Sequence, residues 1–271
     1  VVLGDSGEDG SALSASKVAS SVSVKGFSGP TMFETAAAEA KAAFSACDIA
    51  IIAGPGDSWV DALASAGLAG ALNCPILFTE KDSLHAATKQ ALQDLGVKNV
   101  IVLGGTAAVS AGAENAIRAA GITIKERLGG SDCYGTQMAI FEYGVRNNLW
   151  SKELVIFATG GHYGDALSVS PIAYAKKAPI FLINGGTKDL SDEQRTRLKD
   201  VAKAGYGKEA VAVGGAASVS DLVVGTGDFI SSLAGGSGSC QRLWGATQFE
   251  TSSKIAEWAV GTQGFSWNNA A

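Results

Sequence analysis

Short uninterrupted apolar runs, IAIIA at 49–53, PILF at 75–78 and NVIVL at 99–103, alternate along the chain with longer stretches of helical periodicity. Continuous rather than alternating apolar strands suit a sheet covered on both faces, and the periodic stretches between them read as helices. The first series predicts helix 33–46, strand 49–53, helix 59–71, strand 75–79, helix 83–95, strand 99–103, helix 110–119 and strand 122–127. A second series repeats the plan with helix 134–148, strand 153–158, helix 163–176, strand 179–183, helix 191–204, strand 209–213, helix 218–231 and strand 239–243. A further helix is expected over 247–260. Strands joined through helices imply right-handed crossovers, so the expected class is α/β: small parallel sheets flanked by helices in three layers, Toprim or Rossmann-like.

The two series are copies of each other. GDSWVDALASAGLAGALNCPILF, from Gly56 to Phe78, returns as GGHYGDALSVSPIAYAKKAPIFL, from Gly160 to Leu182, with Asp61 on Asp165 and Pro75 on Pro179 at one offset of 104 residues. IVLGGTAAVS at 101–110 returns as VAVGGAASVS at 211–220. A third element occurs three times, as FSGPTMFET ending at Thr35, LGGSDCYGT ending at Thr136 and LWGATQFET ending at Thr251, at offsets of 101 and 115. Periods near these are too long for helical or leucine-rich solenoids, whose units run roughly 20 to 50 residues. Each unit is the size of a small domain. The expected division is 1–26 as the back half of a preceding or third repeat, 27–127 and 128–242 as whole repeats, and 243–271 as the start of a further one.

The order FET or YGT, DAL, PILF or PIFL, a GG-x-x-x-VS loop and an Arg just before the next unit resembles the type 2 cell wall-binding repeat of Gram-positive surface proteins. The resemblance covers nearly the whole chain. It implies an extracellular, S-layer-like surface protein held non-covalently to the cell wall. It also implies non-catalytic repeats that pack together in threes and hold an anionic wall polysaccharide, with no cofactor. The family commonly carries an Arg before the aromatic residue of the FET element; here those places hold Met32, Cys133 and Gln248.

Composition narrows the partners. Of 271 residues 46% are apolar and 17% charged, enough apolar material for packed cores. A formal charge of −5 argues against a nucleic-acid partner, which needs a concentrated basic face. It also means that an anionic polymer would have to be held by a few placed Arg or Lys residues and by hydroxyl contacts. No apolar run reaches the length of a membrane span, about 18 residues. Val1 carries no initiator Met and no signal-like segment follows, so the chain is expected to be a mature or excised fragment. Remaining partners are neighbouring repeats of the same chain or a homo-oligomer. Cys47 and Cys74 precede neighbouring strands, which leaves a disulfide or two separate thiols open, while Cys133 and Cys240 have no evident partner.

Each candidate binding residue has a second reading. Asp61 and Asp165 follow a strand and a Gly-bearing loop, where ligands of open α/β sheets bind, yet an Asp in the first turn of a helix also stabilises the dipole unaided. Trp59 and Tyr163, in the same register, either stack on sugar faces or close the core. Gly104, Gly105, Gly214 and Gly215 present amides to an anion or form tight turns before helices capped by Ser110 and Ser220. Their spacing fits neither phosphate-loop pattern, which disfavours a nucleotide- or sugar-processing enzyme, the alternative of another class. Arg127 and Arg242 either clamp a carboxylate or phosphate at the seam between units or pair with a neighbour's Asp, such as Asp61 or Asp165. In a third, purely architectural reading both arginines are used up in salt bridges between units. Thr31 to Glu34 and Thr247 to Glu250 read as capping boxes, with Asp132 capping the middle copy. The two histidines, His85 and His162, lack clustered partners for a metal, and His162, Asp165 and Ser168 lack a nucleophile elbow.

Overall fold

The computed structural model describes residues 26–56 and 59–267. In the first unit α1 (Met32–Ala43), β1 (Ile49–Ala53), α2 (Trp59–Ala64), α3 (Ala66–Leu72), β2 (Ile76–Phe78), α4 (Ala86–Asp94), β3 (Asn99–Leu103), α5 (Ala111–Ala119) and β4 (Thr123–Leu128) follow in order. The second unit repeats this with α6 (Cys133–Arg146), β5 (Leu154–Thr159), α7 (Gly164–Lys176), β6 (Ile180–Ile183), α8 (Asp192–Ala202), β7 (Glu209–Val213), α9 (Asp221–Leu233) and β8 (Cys240–Leu243). Helix α10 (Gln248–Thr262) follows β8. Residues 1–25, which carry almost all of the expected partial repeat at 1–26, lie outside the described part.

Both sheets are parallel and have one topology, β2-β1-β3-β4 and β6-β5-β7-β8. The central strands β1 and β3 bury nearly every side chain, as their unbroken apolar runs require. β4, TIKERL, departs from that pattern. It lies at the sheet edge with Lys125 exposed, and a charged edge discourages pairing with another chain.

Two expected helices end differently. Helix 33–46 stops at Ala43 because Phe44 is extended (φ −124°, ψ 135°) and packs, partly buried, against a cluster that includes Ala37 and Leu95. Helix 59–71 is two helices, α2 and α3, divided at Ser65, whose hydroxyl donates to the Ala62 carbonyl at 2.8 Å instead of leaving the turn to propagate. The four cysteines are free thiols, so the disulfide that one reading allowed is not formed. Burial pushes Cys74 and Cys240 up to about 12.

The two units share one hydrophobic core. A single cluster joins Ile51, Leu68, Ile101 and Leu128 of the first unit to Phe141, Phe157, Phe181 and Ile183 of the second, while the outer face of the first sheet has its own cluster around Ile52, Leu92 and Ile117. At the closest approach α3 lies against α7. A Cβ on Gly67 would overlap the Ala178 carbonyl oxygen, and one on Gly70 the Tyr174 carbonyl. Tyr174 Oη donates to Asn73 Oδ1 across the same contact at 3.2 Å. Asn73 and Lys177, equivalent by repeat, both end their helices in the left-handed region (φ 49° and 51°).

Candidate functional site

In each sheet the order of connections reverses between the first and third strands, and ligands of such sheets bind outside the carboxyl ends of the strands at that reversal. At this point in the first unit stand Asp61 and Gly104; in the second, Asp165 and Gly214. Both glycines have positive φ (78° and 115°), and a methyl on either would meet the Asp carboxylate at 2.5 and 2.6 Å. The glycines are therefore required both by the turn and by the carboxylate that lies against it.

Both carboxylates are buried, 6% and 5% exposed, and each lies beside the start of the next unit's first helix. Asp61 is held by Thr136 of α6 and lies near enough to Cys133 to raise its thiol pKa. On the other side Gln248 of α10 lies against Gly164, beside Asp165. Burial pushes Asp61 up to about 6, against the hydrogen bond from Thr136, which favours the ionised form. Burial likewise raises Asp165, opposed by His162, whose Nε2 is 3.7 Å from Oδ2.

The FET element builds these joints. Thr35, Thr136 and Thr251 each accept a hydrogen bond through Oγ1 from the amide of a preceding glycine, Gly29, Gly130 and Gly245, at 3.0, 3.2 and 3.0 Å. The cap ahead of α1 forms a full box, with Glu34 returning to Thr31 N at 3.1 Å, and Asp132 caps Gly135 N at 2.8 Å. Before α10 only the Thr half forms: Thr247 accepts from Glu250 N, but Glu250 reaches Ala246 N. Ser110 caps α5 through Gly112 N, whereas Ser220 occupies the cap position without a hydrogen bond from its hydroxyl.

Among the described residues the arginines do not pair with Asp61 or Asp165 and make no bridge between units. Arg127 donates to Glu114 at 2.7 and 3.1 Å and to the carbonyls of Gly104 and Val109, both at 2.7 Å, so β4 is tied to the β3–α5 loop of its own unit. Arg242 repeats this with Asp221 and the carbonyls of Gly214, Val219 and Ser220. Burial works against Glu114, but the Arg127 and Arg118 guanidiniums hold its carboxyl below the usual range. Arg127→Ala is expected to lower the unfolding free energy by about 2 kcal/mol, because two carbonyls and a half-buried carboxylate lose a charged donor together. Urea denaturation measures it, and an unchanged midpoint would contradict the staple.

Trp59 and Tyr163 meet across the units, ring centroids 6.0 Å apart and perpendicular. Trp59 packs on the shared core, as one of its two readings had it, and Tyr163 is 57% exposed. Gly105 and Gly215 form the outer side of the same loops, Gly105 near the Gly130 carbonyl and Gly215 near the Trp244 ring. The sequence did not single out Trp244, Phe249 and Trp258, of which Trp244 and Phe249 are exposed and Trp258 is buried. Their presence in LWGATQFET, where the middle copy has LGGSDCYGT, is the signal that could have found the first two. His85 caps α4, accepting from Ala87 N through Nδ1, and stacks on Phe33. Among the described residues no group of three or more His, Cys, Asp or Glu side chains is placed to hold a metal ion, and no helix is long and apolar enough to cross a membrane.

Comparison with known proteins gives the two units a family. The signature of the family described as Cell wall binding domain 2 (CWB2) matches residues 27–114 and 127–224. The chain is 33% identical over 201 residues to the N-acetylmuramoyl-L-alanine amidase LytC of Bacillus subtilis, covering 74% of this chain and 38% of that protein. It is 26% identical over 229 residues to the Amidase enhancer of the same organism, covering 84% of this chain and 28% of that protein. Among solved structures, Cwp6 from Clostridium difficile matches with a TM-score of 0.71 and 26% identity, covering 85% of this chain and 35% of that one. Cwp8 from the same organism matches with a TM-score of 0.68 and 28% identity over 84% of this chain and 36% of that one. The chain thus spans well under half the length of each relative. Two signature matches, one on each sheet, make the chain a member of the Cell wall binding domain 2 family.

Proposed function

We propose that this chain is a non-catalytic anchoring module that attaches a surface protein to the cell wall by holding an anionic wall polysaccharide in grooves where one unit meets the next. The observation that carries this reading is the match of a wall-binding family to both units, joined through a repeated seam of Asp, Gly-Gly loop and capped helix. The unit boundaries that serve it are 27–127 and 128–242, with 243–271 opening a further unit and 1–26 closing another. Polymer contact falls to the outward groups, namely Tyr163, the edge of Trp59, the Gly105 and Gly215 loops and Arg242. Asp61, Asp165, Gly104, Gly214 and Arg127 shape those groups from beneath. With a formal charge of −5 the module cannot rely on bulk attraction. Several weak contacts on one polymer strand act together through effective concentration, which is the use of repetition.

The test is co-sedimentation with purified walls, intact and chemically stripped of their anionic polymers. Retention by intact walls, loss on stripped walls and weakening with rising salt are expected. Equal retention by both preparations would overturn the choice of polymer, and no retention by either would overturn the anchoring role.

A further inference from the structure

Helix α9 presents to solvent an apolar stripe that its counterpart in the first unit lacks. Leu222, Phe229 and Leu233 are 67%, 50% and 38% exposed. Their spacings of seven and four residues set them on one side of the helix, within about 40° of each other. Thr226 lies between them, and the exposed residues on the other flank, Gly225 and Ser232, are small and uncharged. At the offset of 110 residues that relates the two Gly-Gly loops, Leu222 and Phe229 stand where α5 has Gly112 and Ala119. Leu233 falls in the extra turn by which α9, at 13 residues, outlasts α5, at 9. The first unit folds without such a stripe, so the needs of the fold do not account for it. A contiguous apolar face that the fold does not require marks a surface that something covers.

The neighbouring helix says what fits there. α8 runs beside α9 in the same direction: Arg195 donates to Thr226 Oγ1 and, one turn on, Lys199 lies over the Phe229 ring, its Nζ 5.8 Å from the centroid. The two ends of α8 carry opposite charge. Asp192 and Glu193 open its first turn, and Lys199 and Lys203 stand at its close, both exposed. The bond from Lys203 to Asp200, at 3.3 Å, still leaves 66% of the lysine side chain in solvent.

This face is complementary to itself. Positions 222, 226, 229 and 233 are spaced by four, three and four residues, a series that reads the same from either end. Two copies of α9 laid antiparallel therefore set each Leu222 against the other copy's position 233 and each Phe229 against the other's position 226. A parallel pair would also match the apolar positions, but it would put acid beside acid and base beside base. The antiparallel pair puts the acidic first turn of one α8 beside the basic last turn of the other and opposes the helix dipoles favourably.

We infer that the α9 stripe, flanked by α8, docks on the same face of a second copy of this chain, the two α9 helices antiparallel about a twofold axis. Such an interface is isologous and closes on itself, giving a dimer and not a filament. One helix pair and its flanks cover less than the roughly 800 Å² per partner of a standard interface, so the dimer is weak, with a Kd of about 10 μM to 1 mM. Copies held side by side on one wall would meet at an effective concentration in that range; this consequence alone rests on the wall-binding reading.

Sedimentation velocity of the chain from about 10 μM to about 1 mM reads the association. A monomer–dimer equilibrium that weakens with rising salt is expected. Phe229→Asp is expected to raise the Kd at least about tenfold, while Leu167→Gln, which removes an exposed apolar side chain of α7 away from the stripe, leaves it unchanged. Asp192→Lys and Lys203→Asp are each expected to raise the Kd about threefold or more, and the two together to restore it, because the reversed ends again oppose each other. Equal urea midpoints at low concentration show that the variants fold. A chain that stays monomeric throughout, a dimer that tolerates Phe229→Asp, or a combined charge variant no tighter than either single one would overturn the proposal. Wild-type chain that dimerises but is not retained by walls keeps this interface and loses the anchoring role; retained chain that stays monomeric does the reverse.

Discussion

Replacing Gly67 and Gly70 together by alanine is expected to lower the unfolding free energy by about 3–5 kcal/mol, one of the largest losses available from adding two methyl groups. The reason is the geometry of the α3–α7 contact. Each new Cβ would sit inside the van der Waals shell of a carbonyl, Ala178 for position 67 and Tyr174 for position 70, and backbone cannot rotate aside as a side chain does. Relief requires the helices to separate. That loosens the core shared by Leu68, Phe141 and Ile172 and breaks the Tyr174–Asn73 bond. Helix propensity works the other way, because alanine is favoured over glycine inside a helix by about 1 kcal/mol per site, so a net loss isolates the packing effect. Gly225→Ala on α9, where a Cβ would meet nothing, is the control and is expected to stabilise slightly. Urea denaturation separates the outcomes. A double variant as stable as the wild type would mean that the two units do not depend on this contact.

Those two glycines also show where the sequence was legible and where it was not. The offset from Asp61 to Asp165 identified the repeat, and the unbroken runs IAIIA and NVIVL became the central strands β1 and β3, because burial on both faces leaves no room for polar residues. GLAGAL, in contrast, read as one more turn of an apolar helix. Its repeat counterparts are Pro171 and Tyr174, so the copies have different side chains at the positions where they touch, and a period cannot reveal a contact between unlike surfaces. The arginines were legible by position, but the pairing with Asp61 or Asp165 that one of their two readings allowed is not the one that forms. Their anions, Glu114 and Asp221, precede them by unequal spacings, and Arg127 and Arg242 turn inward to their own loops because β4 and β8 lie beside β3 and β7 in the sheets.

Asp61→Asn is expected to stabilise the protein by up to about 3 kcal/mol at pH 7 and above, and to have almost no effect below pH 4. Burial raises the folded-state pKa of Asp61 to about 6, against a usual value of 3.8. The folded protein therefore binds this proton more tightly than the unfolded chain. The associated stability is fully present below about pH 4 and is lost as pH rises through 6, the opposite of a salt-bridged carboxylate. Asn has nearly the same shape and still accepts the Thr136 hydrogen bond, so the substitution removes the charge and keeps the joint. The variant's unfolding free energy should run flatter between pH 4 and 7, and its excess over wild type should grow across that window. Parallel profiles would show that Asp61 ionises in the folded state as it does in water. Among the described residues no cation lies against this carboxylate, and only the hydrogen bond from Thr136 favours its ionised form. At the second seam Asp165 has His162 beside it, and its stabilisation on conversion to Asn is expected to be smaller. The order of the two effects thus tests whether desolvation, rather than the Gly-Gly loop they have in common, sets the cost of burying an acid where one unit is fastened to the next.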